Sequence, residues 1–361
     1  MLPHNKPYRF RRSRRAAVEL QFNWIFVMVA GFVIFLFIIS IAMKQKKASD
    51  TELQISVSSQ IEASLRAKKV PNVFYEVSMP EGSIEFRCED NASFVFKLDQ
   101  GQYRNLPTEI MYTPQRIDSN RLYLWTKNFN LPYTIATVVY ATSPQTIYMV
   151  YNDTAKTDDD QYVLEVLDQF SKTNMTYAYS ASDVTEKIKK YKNHKVICFT
   201  DTGACKTSAN GIKNYIIITP NPGTGLNSYG IVNFSSNPAE GVPYIGDAIL
   251  YGAIFAENKA MYECQSSRLF KQAEMKRILM EKRIELLEKG YTISNGCSPL
   301  LAGALYEIRN TSGSLAKLPE LFNPQTPPPS DPSREKKIYN SANSFTYANE
   351  DLKLASCAQL Y

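Results

Sequence analysis

The stretch TIYMVYNDTAKTDDDQYVLEVLDQFSKTNMTYAYSASDVTEKIKKYKNHKVICFT, residues 146–200, decides the fold. TIYMVYN (146–152) is a β-branched and aromatic run of strand length. DDDQYVLEVLDQFSK (158–172) is an amphipathic helix with acids in its first turn, where the helix dipole favours them. MTYAYSA (175–181) is a second strand, and SDVTEKIKKYK (182–192) a second helix capped by Ser182 or Asp183. KVICFT (195–200) is a third strand, followed by NYIIITP (214–220) and GIVNF (230–234). Strand–helix–strand–helix–strand predicts a partly parallel α/β sheet with right-handed crossovers over 143–246.

The flanks differ in kind. In 71–142, VFYEVSM, SIEFRCE, SFVFKLD, RLYLWTK and IATVVYAT alternate between apolar and polar, with Gly, Pro and Asn turns between them. They predict a small β-rich subdomain. From Asp247 the chain turns helical. The run 247–290 has no Pro and ends in a Gly stop, and Met261, Cys264, Met275, Ile278, Leu279 and Leu286 mark one apolar face of it. SPLLAGALYEIRN (298–310) is a second helix, NPQTPPPSDPSREKK (323–337) a polar Pro-rich loop, and NEDLKLASCAQLY (349–361) a last short helix within a C-terminal region of 247–361. The class is α/β, α+β overall.

The first 43 residues hold six Lys or Arg against one acid, Glu19, and so carry nearly all of the net charge of +6. The remaining chain is almost neutral, which excludes the basic surface that a nucleic-acid partner needs. After this basic tail (1–23), Trp24 to Met43 are uncharged, long enough at 1.5 Å per residue to span about 30 Å of hydrocarbon. A cleaved signal has a shorter apolar core and a small-residue cleavage site. Here IISIAMKQKK follows instead, predicting a permanent transmembrane helix over 24–43. The charge bias places the N-terminus in the cytoplasm and the C-terminal region outside. Arg14, Arg15, Glu19 and Trp24 then lie at the membrane interface, and the bilayer is the first expected partner.

The segment 44–70 reads as a juxtamembrane helix or stalk. Its stripe Leu53, Val57, Ile61 and Leu65 could pack on the outer domain or support self-association through residues 53–65. All six cysteines follow the apolar run, as an exported, disulfide-bonded region requires. Six allow 15 pairings. The pairing expected is Cys198–Cys205 across a short loop, Cys264–Cys297 between two helices, and Cys88–Cys357 by elimination. Asn91, Asn152, Asn174, Asn233 and Asn310 begin N-x-Ser/Thr sequons, a weak excess over chance.

Chemistry is harder to find. CFTDTGAC (198–205) carries the local Asp-Thr-Gly signature of aspartic proteases, but those enzymes pair two aspartates and no second copy occurs. A strand-end turn is the plainer reading. Even so, Asp201 and Thr202 follow the carboxyl end of a sheet strand, where α/β proteins bind ligands, and are the ligand-binding candidates. The glycines of NPGTGLNSYG (221–230) precede a strand rather than a helix, so they read as a connection and not a phosphate loop. The chain has two histidines, His4 in the basic tail and His194 in what reads as a polar turn, which argues against a His-based metal site or catalytic triad. No catalytic residue, metal or cofactor is expected.

ELQFNWIFVMVAGFVIFLF (19–37) resembles the anchor entry of an uncharacterised family of archaeal single-pass membrane proteins, and AIFAENKAMYEC (253–264) is similar to the same family. The resemblance implies an anchored protein and assigns no activity to any residue. Arg14, Arg15, Ala16, Ala17 and Glu19 are also loosely similar to archaeal class III, pilin-like signal segments, though the usual Gly and Gln are absent. The sequence therefore predicts a membrane-anchored extracytoplasmic envelope protein acting through protein partners. The alternatives are an α/β ligand-binding or enzymatic domain around Asp201, and a pilin-like assembly subunit.

Overall fold

The computed structural model describes residues 24–45, 59, 62–63, 70–79, 82–89, 93–99, 101, 103–106, 110–151, 166, 168–178, 180–191, 193–199, 214–221, 229–234, 241–290, 297–315 and 332–361. The chain forms two units, 1–56 and 57–361. In the first, α1 (Trp24–Gln45) is 22 residues long, with no buried residue, and apolar enough to cross a membrane or to serve as a signal sequence. The stripe Leu53, Val57, Ile61 and Leu65 lies outside the described residues.

The second unit is mixed α/β with three sheets. One has the order β1 (Phe74–Ser78), β7 (Arg121–Asn130), β8 (Thr134–Thr142), β5 (Ile110–Tyr112). Another runs β4 (Arg104–Asn105), β3 (Ser93–Leu98), β2 (Ser83–Glu89), β6 (Arg116–Asp118). The two-residue period is visible in β2, where Ile84 and Phe86 are buried while Arg87 and Glu89 face out.

The largest sheet has the order β10 (Met175–Ala178), β9 (Thr146–Tyr151), β11 (Asn193–Cys198), β12 (Tyr215–Pro220), β13 (Tyr229–Asn233), β14 (Val242–Ile245). Its first three pairings are parallel and its last two antiparallel, so β13 alone runs against the others. The parallel pairing is what the crossovers of the sequence predict. Ile147, Met149, Val196 and Cys198 form a separate small core with Val184 of α2 (Ala181–Ile188). The alternate side chains Tyr148, Val150 and Ile197 join the main core. The cap of α2 is Ser180, earlier than Ser182 or Asp183, with its hydroxyl accepting from the Asp183 amide at 3.2 Å.

The run 247–290 is two helices, α3 (Asp247–Phe255) and α4 (Lys259–Gly290). Ala256 is extended between them, and the Asn258 side chain accepts from the Met261 amide at 3.0 Å, an N-cap that starts α4 afresh. Every α3 residue from Ala248 to Phe255 is buried. Tyr251 and Phe170 pack edge to face on Tyr140 and on each other, Phe255 packs edge to face on Phe170, and the Tyr140 hydroxyl donates to the Ala248 carbonyl at 2.7 Å. Gly252 is required by close approach, since a Cβ there would stand 2.6 Å from the Tyr112 ring.

Helices α5 (Cys297–Leu315) and α6 (Pro332–Leu354) follow among the described residues. The expected Pro-rich loop 323–337 gives way to helix at Pro332, a residue tolerated in a first helical turn because its missing N–H would be unpaired there.

Two disulfides differ from the expected pairing. Cys88 joins Cys264, tying β2 to α4, and Cys297 joins Cys357, tying the start of α5 to the tail after α6. The Cα separations are 6.4 and 5.8 Å. Cys264–Cys297 is the expectation for a tie between two helices, and Cys88–Cys357 follows from it by elimination, whereas β2 lies against the first half of α4 and brings Cys88 to Cys264. Cys198 is also disulfide-bonded, and its expected partner Cys205 lies outside the described residues.

Candidate functional site

Asp201 and Thr202 lie outside the described residues. The strands that lead to them are in place. The order of the large sheet reverses between β9 and β11, both ending on the same edge, and such a reversal is where open α/β sheets bind ligands.

The cleft seen among the described residues is at the opposite, amino-terminal ends of these strands. It encloses about 320 Å³, near the lower end of the roughly 300–1,000 Å³ of small-molecule sites. Thr146 and Tyr148 of β9, Asn193, His194 and Lys195 of β11, and Asn214 form one wall. Arg116 and Asp118 of β6 face them, and Phe255, Ala256 and Glu257 close the cleft at the corner between α3 and α4.

Lys195 is the deepest charged group, only 3% exposed. It shares a strand face with Ile197 and Phe199, so alternation sends a long cationic side chain into the apolar core. Its ammonium donates to the Ala253 carbonyl at 2.9 Å and to the Ala256 carbonyl, the last acceptors of α3. A helix end leaves such carbonyls unpaired, and a cation there also meets the negative end of the dipole. The ammonium lies 5.3 Å from the Phe234 ring centroid. Burial pushes its pKa down to about 7, opposed by the Glu257 carboxylate.

The other charged groups of the cleft are also tied to the frame. Glu257 accepts from the Gln115 amide at 2.6 Å, and Arg116 donates to Asp118 at 2.7 Å. His194 is the second residue of β11, half-buried in the strand rather than in a solvated turn, and burial lowers its pKa. The neutral imidazole offers one donor and one acceptor. Chemically, the cleft presents a basic amine, a carboxylate and an imidazole beside aromatic rings. Lys195 was not singled out in the sequence; its signal is a lysine at a core position of a strand.

The remaining candidates are scattered. Trp24 opens α1, while Arg14, Arg15 and Glu19 lie outside the described residues. Of the sequons, Asn91 and Asn152 lie outside them too. Asn174 is half-buried and its amide donates to the Pro144 carbonyl. Asn233 is 8% exposed at the end of β13, with its side-chain oxygen unpaired, so the folded chain does not present it to a glycosyl transferase. Asn310 lies in α5. Among the described residues no His, Cys, Asp and Glu cluster fits a metal ion.

Comparison with protein-family models, curated proteins and solved structures finds no match to this chain.

Proposed function

We propose that this chain is a single-pass membrane protein, N-terminus inside, whose disulfide-braced outer unit works in the cell envelope by binding protein partners. The observation that carries the reading is the union in one chain of a 22-residue apolar helix with a unit bearing the Cys88–Cys264 and Cys297–Cys357 bonds. Disulfides of this kind persist in oxidising compartments. The basic tail supports the orientation.

Crosslinking in native membranes, followed by extraction in mild detergent, tests this. The expected result is recovery of the chain with at least one defined partner, lost when exposed residues of the helical region are changed to alanine. Recovery of the chain alone under both conditions contradicts it.

A second reading is a ligand site around Asp201 and Thr202, favoured by the reversal of strand order beside β11. A thermal-shift screen with phosphates, nucleotides and sugars tests it. A ligand that stabilises the wild type and not Asp201→Asn supports it, and equal responses contradict it.

A further inference from the structure

The apolar face that the sequence marks on α4 changes environment halfway along the helix. Met261 is buried and Cys264 is bonded to β2, yet Met275, Ile278, Leu279 and Leu286 are 60, 45, 68 and 70% exposed. The groups buried in this second half are Ala273, Arg277 and Ile284, on the opposite side of the helix.

Charge on α4 is sorted just as sharply. From 271 to 290 every exposed residue is apolar, cationic or glycine, the cations being Lys271, Lys276, Lys282, Arg283 and Lys289. The acids Glu274, Glu281, Glu285 and Glu288 are all half-buried. Arg277 takes Glu274 and Glu281 at 2.9 Å, and Arg309 of α5 takes Glu281 and Glu285 at 2.9 Å. At about 100° per residue, Met275, Leu279, Lys282, Leu286 and Lys289 form one row, roughly 21 Å long.

We propose that this row docks on an anionic lipid surface. An apolar stripe set among lysines and arginines is the pattern of a helix lying in a membrane interface, its apolar side chains entering the acyl boundary while its cations meet lipid phosphates. A second copy of this chain fits poorly, because self-association would set Lys271, Lys282 and Lys289, which share the apolar side, against their own copies; Lys282 also pairs with Glu285 at 2.8 Å, while Lys276 and Arg283 donate to the Thr134 and Gln359 carbonyls. The inference rests on the reading of α1 as an anchor, which keeps a bilayer within reach of the outer unit.

The test uses the full chain in vesicles of phosphatidylcholine alone or mixed with phosphatidylglycerol, with Leu279→p-benzoylphenylalanine as a photo-crosslinker. The exposed site tolerates a ring, and formation of both disulfides checks the fold. The expected product is a lipid adduct at position 279 in the anionic vesicles. It should fall about fivefold or more in phosphatidylcholine vesicles and in the triple variant Lys271→Gln, Lys282→Gln, Lys289→Gln. A dimer adduct, or no lipid adduct above the phosphatidylcholine level, overturns the proposal. Flotation after an alkaline wash reads the anchor separately. A chain that floats without a lipid adduct loses the docking and keeps the anchor, whereas one that neither floats nor crosslinks loses both.

Discussion

Gly252 shows how a single residue sets the distance between layers. Alanine is favoured over glycine in a helix by up to about 1 kcal/mol. Against that, the new methyl would meet the buried Tyr112 ring at 2.6 Å, and that ring is held by a 2.9 Å bond between its hydroxyl and Ser266. Overpacking of this kind costs about 1–3 kcal/mol, so Gly252→Ala should lower stability in denaturant titration; a more stable variant would contradict the packing. Lys195 gives a pH signature. Its folded pKa of about 7 lies below the roughly 10.4 of an unfolded lysine. Between these values the unfolded chain binds a proton that the folded chain does not, so stability from this group rises from pH 7 towards 10. Below pH 7 both states hold the proton and the slope vanishes. The wild type should therefore gain stability relative to Lys195→Met over that window, and a constant difference would show that the amine stays charged against its two carbonyls.

At the scale of elements, α4 joins core to surface. Its buried Arg277 bonds two carboxylates, and Arg277→Ala leaves both without it, at a cost on the order of 2 kcal/mol. Arg309 is half exposed, and Arg309→Ala should change stability little, because water screens exposed pairs. Equal effects of the two substitutions in thermal melts would contradict this ordering. These elements also mark what the sequence could tell. The strands 146–151, 175–178 and 193–198 are readable because short β-branched and aromatic runs of strand length are local signals. The helix break at Ala256 had a local signal too, the cap Asn258, hidden inside an uninterrupted apolar pattern. The face of Met275, Ile278, Leu279 and Leu286 was legible as apolar, but not as exposed, since periodicity says which residues share a side and not what covers it. The cleft around Lys195 joins β6, the starts of β9 and β11, and the end of α3, segments up to about 140 residues apart, and no local pattern announces it. Disulfide pairing is non-local in the same way: Cys88 and Cys264 are 176 residues apart.

For the whole molecule, the two described disulfides brace a unit in which the three sheets and helices α3 to α6 share one main core, with α2 on a smaller one. The Cys297–Cys357 loop of 60 residues should contribute on the order of 4 kcal/mol through the entropy of the unfolded chain. Replacing both cysteines by serine should lower the thermal midpoint by many degrees, and an unchanged midpoint would contradict that brace. The central claim joins these bonds to the anchor, and mass mapping of the chain taken from native membranes tests it most directly. Membranes are washed at alkaline pH, free thiols are alkylated, and peptides are compared with and without reductant. The account predicts a chain retained in the membrane, with an intact Met1–Arg15 peptide, linked 88–264 and 297–357 peptides, and no alkylated cysteine. Six alkylated thiols, or a chain released by the wash and cut near Ala16, would contradict it.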